Sequence, residues 1–368
     1  AVIENATNDV TDMLQRMREL AIQATNDTNG SVDRAFLQEE VSQLIQEIDR
    51  VATQTQYNGQ VLLDGSFQNK SIQVGTEAGQ TVSFSIDSVA ASSIGSDYTR
   101  VAPARPAIAS GTSPQVAANT VTVSEVLNID GVLGSKDFVP TAGDSAATQA
   151  AAINAATAET GVSATAKTYA KFFTAGAGDS TVSVKINDVS TGNFVWNASN
   201  VTDAVTKIND ISGTTGVAAK ASSDNTYVIL HDSSGEDITI ENESTDTNMD
   251  VASINHDGAT TSGPTVSIAA AGGNDTTRVM GTVELSSSDS FSVSVSGTVA
   301  KTYFSSGSGV LDAASNIDVS SQSGASAAIA VLSGAIDQVA ESRAGYGALQ
   351  NRLEYTVSNL MNVAEFTT

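Results

Sequence analysis

The sequence predicts an α+β multidomain protein. A long antiparallel helical rod or bundle, with a β-hairpin, is built from both chain ends, and β-rich outer domains are inserted between them. Three observations predict this fold. Apolar residues near the N-terminus recur at alternating spacings of four and three, the seam of a helix that packs along another helix. The same rhythm returns near the C-terminus. Between these ends, apolar and polar residues alternate as in strands.

Three helical seams define the rod. The segment 26–31, NDTNGS, separates the first two, and its Asn, Asp and Gly favour caps and turns. One helical hairpin cannot bury two seams well, so a third helix is expected, and at 1.5 Å per residue the C-terminal one would be roughly 55 Å long. Ordinary amphipathic helices of a globular core are the alternative, but three uncapped seams of this length favour a rod. The seams are Ile3, Ala6, Val10, Met13, Met17, Leu20, Ala24; then Leu37, Val41, Leu44, Ile48, Val51, Thr55; then Ala328, Leu332, Ala335, Val339, Ser342, Tyr346, Leu349, Leu353, Thr356, Leu360, Val363.

A β-hairpin is predicted after the second helix. Ile72 and Val74 alternate with polar residues, as do Val82, Phe84 and Ile86, and GTEAG lies between the two runs. We expect the apolar face of this hairpin to cover one flank of the bundle.

The predicted domains are discontinuous. Residues 1–98 and 317–368 form the helical rod, residues 99–262 form an outer α/β region with an internal repeat, and residues 263–316 form an outer β-rich region. Three prolines, with Arg100 and Arg105 among them, indicate a linker into the outer region. These prolines are Pro103, Pro106 and Pro114.

The internal repeat consists of the segments 149–166 and 203–221. In each, an Ile-Asn pair is followed after six residues by Thr-Gly-Val. Each copy predicts a short helix, a glycine turn and a strand, as in a small α/β module.

Composition disfavours several classes of function. The chain has no cysteine, and 17 basic residues stand against 41 acidic ones, a net charge of −24. Neither disulfides nor thiol chemistry can operate, and binding to nucleic acid or anionic membranes is disfavoured because both need basic groups. No apolar run approaches the roughly 20 residues of a membrane span, and no signal peptide opens the chain. We therefore expect no membrane insertion.

No catalytic residue, metal site or cofactor is expected. The histidines are His231 and His256, and HExxH, Cys–His and GxSxG patterns are absent. The acidic segments SSGED and ESTDTNMD lack EF-hand spacing, so solvated turns are favoured over weak Ca²⁺ sites. Trp196 either stacks on a sugar or lies in a core, and a lone tryptophan favours the core. The sequence predicts a protein that is not an enzyme.

Four segments resemble bacterial flagellin, the filament subunit. They are LQRMRELAIQATN (14–26), EIDRVATQTQYNG (47–59) and SIQVG (71–75) of its N-terminal core, and RAGYGALQNRLEYTVSNLMN (343–362) of its C-terminal core. The resemblance covers about residues 1–90 and 325–368. It implies a structural subunit that self-assembles into a helical tube for motility, outside the cell on the bacterial flagellum, and is exported without a cleaved signal peptide.

The resemblance also implies partners. Flagellins carry further segments at both ends that form the inner tube of the filament and hold the export signal. We therefore expect a trimmed core that stays monomeric without those ends. The implied partners are other flagellin subunits, the flagellar cap and junction proteins, and an export chaperone that acts through the missing C-terminal segment.

Charged and polar residues of the rod are the candidate subunit contacts, although a solvated face is the alternative for any one of them. The family's recognition surface for the innate immune Toll-like receptor of animals lies on the same helices. Arg16, Leu20 and Glu47 stand at matching positions in QRMREL and QEIDRV. The candidate contacts are Arg16, Arg18, Glu19, Glu47, Arg50, Arg343, Asn351 and Arg352.

Two alternatives stay open. The hook–filament junction protein shares the terminal segments, but EIDRVATQTQYNG and SIQVG favour flagellin. A surface-displayed flagellin homologue could instead bind polysaccharide, or act as an adhesin, through its outer region. At net charge −24, binding an acidic polysaccharide requires a bridging cation or clustered basic groups, for example Arg100, Arg105, Lys167 and Lys171.

Overall fold

The fold is described by a computed structural model for residues 2–26, 28–73, 81–99, 108–111, 119, 121, 126–174, 176, 178–197, 199–270, 273–296 and 307–367. Contacts divide the chain into two compact units, Ala1–Asp97 with Leu311–Thr368, and Tyr98–Val310. The predicted α+β class, with helices from both chain ends and an inserted β-rich region, is confirmed.

Seven α-helices and 23 strands are found in the described residues. The helices are α1 (Val2–Ala24), α2 (Ser31–Gln54), α3 (Ala146–Asn154), α4 (Thr157–Thr160), α5 (Thr202–Asp210), α6 (Ser212–Thr215) and α7 (Gln322–Thr367). The strands are β1 (Gln56–Tyr57), β2 (Gln60–Val61), β3 (Lys70–Gln73), β4 (Thr81–Phe84), β5 (Gly95–Thr99), β6 (Ile108–Gly111), β7 (Val126–Gly131), β8 (Gly134–Phe138), β9 (Ser163–Phe173), β10 (Ser180–Val182), β11 (Val184–Ile186), β12 (Val189–Ser190), β13 (Phe194–Trp196), β14 (Ala218–Ala221), β15 (Val228–Asp232), β16 (Ile238–Asn242), β17 (Met249–Ile254), β18 (Thr261–Ile268), β19 (Thr276–Val279), β20 (Thr282–Ser287), β21 (Ser292–Ser296), β22 (Gly307–Ser308) and β23 (Val310–Ala313).

In the first unit, α1 packs between α2 and α7. Gln322 at the start of α7 donates a hydrogen bond to the carbonyl of Thr25, just past the end of α1, so these two helices run antiparallel. The buried stripe of α1 is wider than the predicted seam, because Thr7, Leu14 and Ala21 are buried with it. A helix that packs between two neighbouring helices buries a wider stripe of side chains than a helix that packs against one.

Local interactions set the turns that join these helices. The guanidinium of Arg34 donates from Nε to the carbonyl of Ala24 at 2.8 Å and so caps α1. The carboxylate of Asp33 accepts the N–H of Gly30 at 3.0 Å at the start of α2. After α2, Asn58 and Gly59 both adopt positive φ, of 56° and 79°, and join β1 to β2. That pair suits the tight two-residue turn of a hairpin.

The predicted hairpin corresponds to β3 and β4, which pair antiparallel. Val74 and the GTEAG turn lie outside the described residues. The rings of Phe84 and Phe67 lie 5.7 Å apart, and Ile86 is buried. Ile72 is exposed, so only part of the apolar alternation is covered.

The second unit is built around the long strand β9. Its C-terminal half pairs with β15 and β17, and its N-terminal half pairs with β20, all antiparallel. One core gathers around Phe172 and Trp196, whose rings meet edge to face at 5.4 Å. A second core gathers around Ile129 and Leu285. The predicted core position of Trp196 is therefore observed, and its ring is not available to a sugar.

The two copies of the internal repeat adopt the same local structure. Ala164 donates its N–H to Asn154 Oδ1 and accepts from Asn154 Nδ2 through its carbonyl, at 2.7 and 2.8 Å. Ala219 and Asn209 make the same two bonds, at 2.8 and 2.9 Å. The glycine that follows the helices, Gly161 or Gly216, adopts a φ of 77° or 75°. Each asparagine thus clamps the strand that follows its own helix.

The structure describes one of the predicted domain boundaries but not the predicted linker. Pro103, Pro106 and Pro114 of the linker lie outside the described residues. The predicted boundary between residues 262 and 263 falls inside β18. Strands from both sides of it pair directly, as β20 does with β9. A strand's own alternation does not reveal which sheet it will join.

Among the described residues, one helical segment, residues 322–358 of α7, is long and apolar enough to cross a membrane. The sequence predicted no such segment. Its apolar character comes largely from small residues, many of them alanine and glycine. Ala325, Leu332 and Val339 of this segment are buried in the first unit. Buried core helices of helical bundles can be equally long and apolar, so these two properties alone do not indicate membrane insertion.

Candidate functional site

Arg16 joins the first two helices of the rod. Its guanidinium lies 2.8 Å from Glu40 Oε1 on α2 and 3.2 Å from Glu19 Oε2 on its own helix. The carboxylate of Glu40, and then that of Glu19, raises the pKa of Arg16 above its ordinary value. All three side chains are between 43% and 68% exposed, so the pairs orient the guanidinium more than they stabilise the fold.

Glu47 and Arg50 form a second ion pair, one turn apart on α2. Arg50 donates from both Nε and Nη2 to the two oxygens of Glu47, and Nη1 lies 3.4 Å from Gln54 Oε1. The hydrogen bonds from Arg50 lower the pKa of Glu47 below its ordinary value. The pair is exposed and holds its charges in a fixed arrangement on the helix surface.

The placement of Leu20 corrects one prediction. Leu20 is only 1% exposed and belongs to the core of α1, because it occupies a seam position. It therefore cannot form part of an exposed receptor surface in this fold. Arg16 and Glu47 are accessible, and their role at such a surface stays a prediction. Arg18 is also exposed on α1.

One exposed aromatic residue on α2 was not among the residues predicted from the sequence. Phe36 is 71% exposed, and Val32, one turn earlier on the same face, is 65% exposed. Phe36 directly precedes the seam residue Leu37, so the helical period itself places it on the outer face. An exposed aromatic residue on a helix surface is typical of interfaces.

An apolar groove of about 1000 Å³ lies where α7 continues beyond the start of α1. Its walls come from α1, α7 and the strand region around β4. Tyr346 fixes one wall, because its hydroxyl accepts the N–H of Asp87 at 3.1 Å. Burial raises the pKa of Tyr346. The lining residues include Ile3, Phe84, Ile86, Arg343, Leu349, Leu353, Val357 and Met361.

The C-terminal candidate residues all lie on this part of α7. Arg343 lines the groove, whereas Asn351 and Arg352 are exposed on the outer surface of the helix. They share one helix but not one face. The third seam runs on past the first residue of the α1 seam, which is consistent with this groove, but the sequence alone did not predict it.

In the second unit, one face of the sheet around β9 collects basic and aromatic groups, here called the lysine face. Lys167 and Lys171 lie on this face because residues an even number of positions apart share one side of a strand. Lys171 Nζ sits 4.7 Å from the ring centroid of Phe173 and 4.3 Å from that of Tyr227. By strand register, Lys220 lies on the same face. Arg100 and Arg105, the other members of the predicted cluster, lie outside the described residues.

Two histidines lie beside the lysine face. His231 stacks on Tyr169, with ring centroids 4.3 Å apart and planes 9° from parallel. Burial lowers the pKa of His231 and raises that of Tyr169. The described residues contain no group of three or more histidine, aspartate or glutamate side chains arranged to hold a metal ion.

This chain is similar to known proteins in sequence and to solved structures in fold. The family model described as the bacterial flagellin N-terminal helical region matches residues 1–68. The B-type flagellin of Pseudomonas aeruginosa is 32% identical over 372 residues, which cover 99% of this chain and 74% of that protein. Among solved structures, FliC from Burkholderia pseudomallei is 21% identical, with a TM-score of 0.38 over 95% of this chain and 97% of that one. FlgL from Xanthomonas campestris is 13% identical, with a TM-score of 0.35 over 100% of this chain and 90% of that one.

The matched N-terminal region contains α1 and α2, with the Arg16–Glu40 and Glu47–Arg50 pairs. The match to the Pseudomonas protein extends over the helices of both chain ends and the β-rich region between them. The chain belongs to the bacterial flagellin family.

Proposed function

We propose that the chain is a structural subunit of the flagellar filament, which packs side by side with copies of itself in a helical tube. The observation that carries this proposal is the relation to a flagellin along almost the whole chain. Flagellins are structural proteins that are exported to the filament at the cell surface. Other subunits, the cap and junction proteins and an export chaperone are the partners that this role requires.

The proposed contacts with neighbouring subunits lie on the exposed faces of the helices. Arg16, Arg18, Glu19, Glu47 and Arg50 offer oriented charges on α1 and α2. Phe36 adds an apolar anchor, and interface energy is often concentrated in such aromatic residues. On α7, the contacts are Arg343, Asn351 and Arg352. Fixed charges chiefly set the register between neighbours, while apolar burial supplies affinity.

A charge-swap experiment separates contacts between subunits from contacts within one. R16E and E40R are prepared singly and together in the full-length gene product, and elongation of filament seeds is followed by electron microscopy. The double variant restores the bridge within the subunit. If Arg16 also contacts a neighbour, all three variants elongate seeds at least tenfold more slowly, while the melting temperature of the double variant matches that of the parent. Elongation restored in the double variant would confine Arg16 to a role inside the subunit.

A second candidate function is binding of an acidic polysaccharide at the lysine face. The observation that favours it is the collection of Lys167, Lys171 and Lys220 beside Tyr227, in a protein of net charge −24. Aromatic rings can stack on sugars while ammonium groups pair with carboxylates. Lys171, held between two rings, would present its ammonium at a fixed position.

The binding test uses a soluble polygalacturonate, with neutral dextran as the ligand control, in isothermal titration calorimetry at low salt. K167A/K171A is expected to weaken binding at least tenfold, because both ammonium groups lie on the proposed surface. K207A removes a lysine from α5 and serves as the matched control, with binding unchanged. Equal affinity of K167A/K171A and the parent, or no binding by the parent, would remove this candidate function.

A further inference from the structure

The turn at residues 255–260, which joins β17 to β18, is held against the sheet by His256. The imidazole side chain is 14% exposed. Its Nδ1 lies 3.3 Å from Thr282 Oγ1 on β20, and its Nε2 lies 3.4 Å from Thr165 Oγ1 on β9. One ring therefore ties the turn to two neighbouring strands.

The hydroxyl of Thr282 identifies the protonation state that these bonds require. It donates its own hydrogen to the carbonyl of Lys167 at 3.2 Å. Toward His256 it can then only accept, so Nδ1 carries the proton, and Nε2 accepts from the hydroxyl of Thr165. The arrangement uses a neutral imidazole with one donor and one acceptor nitrogen.

The rest of the turn is organised around Asp257 and Tyr169. The carboxylate of Asp257 accepts the N–H groups of Ala259 and Thr260 at 2.9 Å each. Gly258 lies on the ring of Tyr169, so closely that an added Cβ would come within 3.1 Å of it. Gly258 adopts a φ of 69°, so this close approach of the backbone to the ring requires a glycine.

Titratable groups face His256 from the turn itself and from β9, β15 and β20. Burial, and after it the ammonium of Lys167 on β9, lowers the pKa of His256 to about 4, and His231 on β15 acts in the same direction. Asp257 in the turn opposes this shift. Glu284 on β20 also favours the charged ring, but its Oε1 lies 4.0 Å from Nε2, too far for a hydrogen bond.

We propose that residues 255–260 form an acid-operated latch: protonation of His256 releases the turn from β9 and β20. In the closed turn, a charged ring is buried beside Lys167, and its second N–H needs an acceptor where Thr165 now donates. In the open turn, the ring is hydrated, its charge costs little, and the hydrogen bonds within residues 255–260 are open to water. Opening also exposes the ring of Tyr169 and adds positive charge to the lysine face.

The size of the effect follows from proton linkage. An open, solvated histidine has a pKa of about 6.5, whereas the closed one has a pKa of about 4. Between pH 7.5 and pH 5, the ratio of open to closed turn should therefore rise about 30-fold. Burial raises the pKa of Asp257, but the Thr260 hydroxyl and the turn N–H groups outweigh it and hold that pKa below its ordinary value. Asp257 consequently stays ionised across this range.

Amide hydrogen exchange, read by NMR, tests the latch. The reporters are the turn amides of Asn255 and Gly258, which are hydrogen-bonded to Thr260 and Asn255. Their protection factors, corrected for the intrinsic pH dependence of exchange, are expected to fall about 30-fold from pH 7.5 to pH 5. In H256Q, where glutamine can keep both threonine bonds but does not titrate, protection should stay constant. H231Q is the matched control and should retain the fall.

A second measurement covers the case in which H256Q fails to fold. The carbon-bound ring protons of His256 in the parent protein report its protonation. A titration midpoint below pH 6.5 is expected, because the closed turn holds the pKa at about 4 while opening on protonation draws the midpoint upward. A midpoint near pH 6.5, or a protection loss in H256Q equal to that of the parent, would overturn the latch. These readouts follow single residues within one chain and involve neither filament seeds nor polysaccharide, so their failure is distinct from failure of either proposed function.

Discussion

At the scale of single residues, the two asparagine clamps show what the sequence contains and what it hides. The repeated Ile-Asn and Thr-Gly-Val pattern predicted two copies of one helix–turn–strand unit. It did not reveal that Asn154 and Asn209 each hold the main chain of a residue ten positions later. The reason is that such a bond depends on the path of the turn between them, which local patterns do not specify.

Removing either clamp should destabilise the second unit by a similar amount. N154A and N209A each lose two hydrogen bonds to main-chain groups, so each is expected to lower the free energy of unfolding by about 1–2 kcal/mol. Urea denaturation followed by circular dichroism measures this. T214A, an exposed position on α6, is the control and should change little. An unchanged stability in both asparagine variants would show that water replaces the clamps without cost.

Leu20 is a residue for which the sequence suggested two incompatible roles. It satisfied both a helical seam and a family surface motif, and a sequence offers no rule for choosing between these roles. The structure assigns it to the core because α1 has helices on two sides. Charged neighbours such as Arg16 were predictable as exposed, but the partner Glu40 on another helix was not.

At the scale of elements, helices were predictable and sheet partners were not. The period of apolar residues predicted α1, α2 and α7, because each helix turns an apolar stripe toward its neighbours and buries at least part of it. Strands carry only a two-residue alternation, and their partners lie far away in the chain. Val126 of β7, for example, pairs with Ser296 of β21. The predicted boundary between residues 262 and 263 falls inside β18.

Two glycines of α7 provide a matched test of helix packing. A Cβ on Gly334 would lie 2.6 Å from the carbonyl oxygen of Gly95 and 2.7 Å from Ser96 Cβ, whereas one on Gly345 would meet nothing within 4 Å. G334A is expected to destabilise the first unit by about 1–3 kcal/mol through overpacking. G345A should stabilise it by up to about 1 kcal/mol through helix propensity.

Thermal unfolding of both variants gives the comparison directly. Since the two substitutions are chemically identical and lie on the same helix, their difference isolates the close approach of α7 to β5. A G334A melting temperature equal to or above that of G345A would contradict the packing of α7 described above.

At the scale of the whole molecule, the sequence predicted the class of fold and the family, because both depend on long patterns at the chain ends. It named Lys167 and Lys171 as members of a possible basic cluster, but it could not predict their aromatic neighbours or the groove at the far end of α7, since both arise from residues brought together by tertiary structure. The groove requires Ile3, Phe84 and Leu349 to meet. The lysine face requires four strands in one register.

The central claim, that the protein is a subunit of the flagellar filament, is tested most directly by seeded assembly. The full-length gene product is incubated with short filament seeds and viewed by electron microscopy, with seeds alone as the control. The account predicts seeds that lengthen in proportion to added protein and carry the added subunits as a continuous tube. Seeds that keep their length, or bind only a single terminal layer of the protein, would contradict it and favour a surface-binding or junction role.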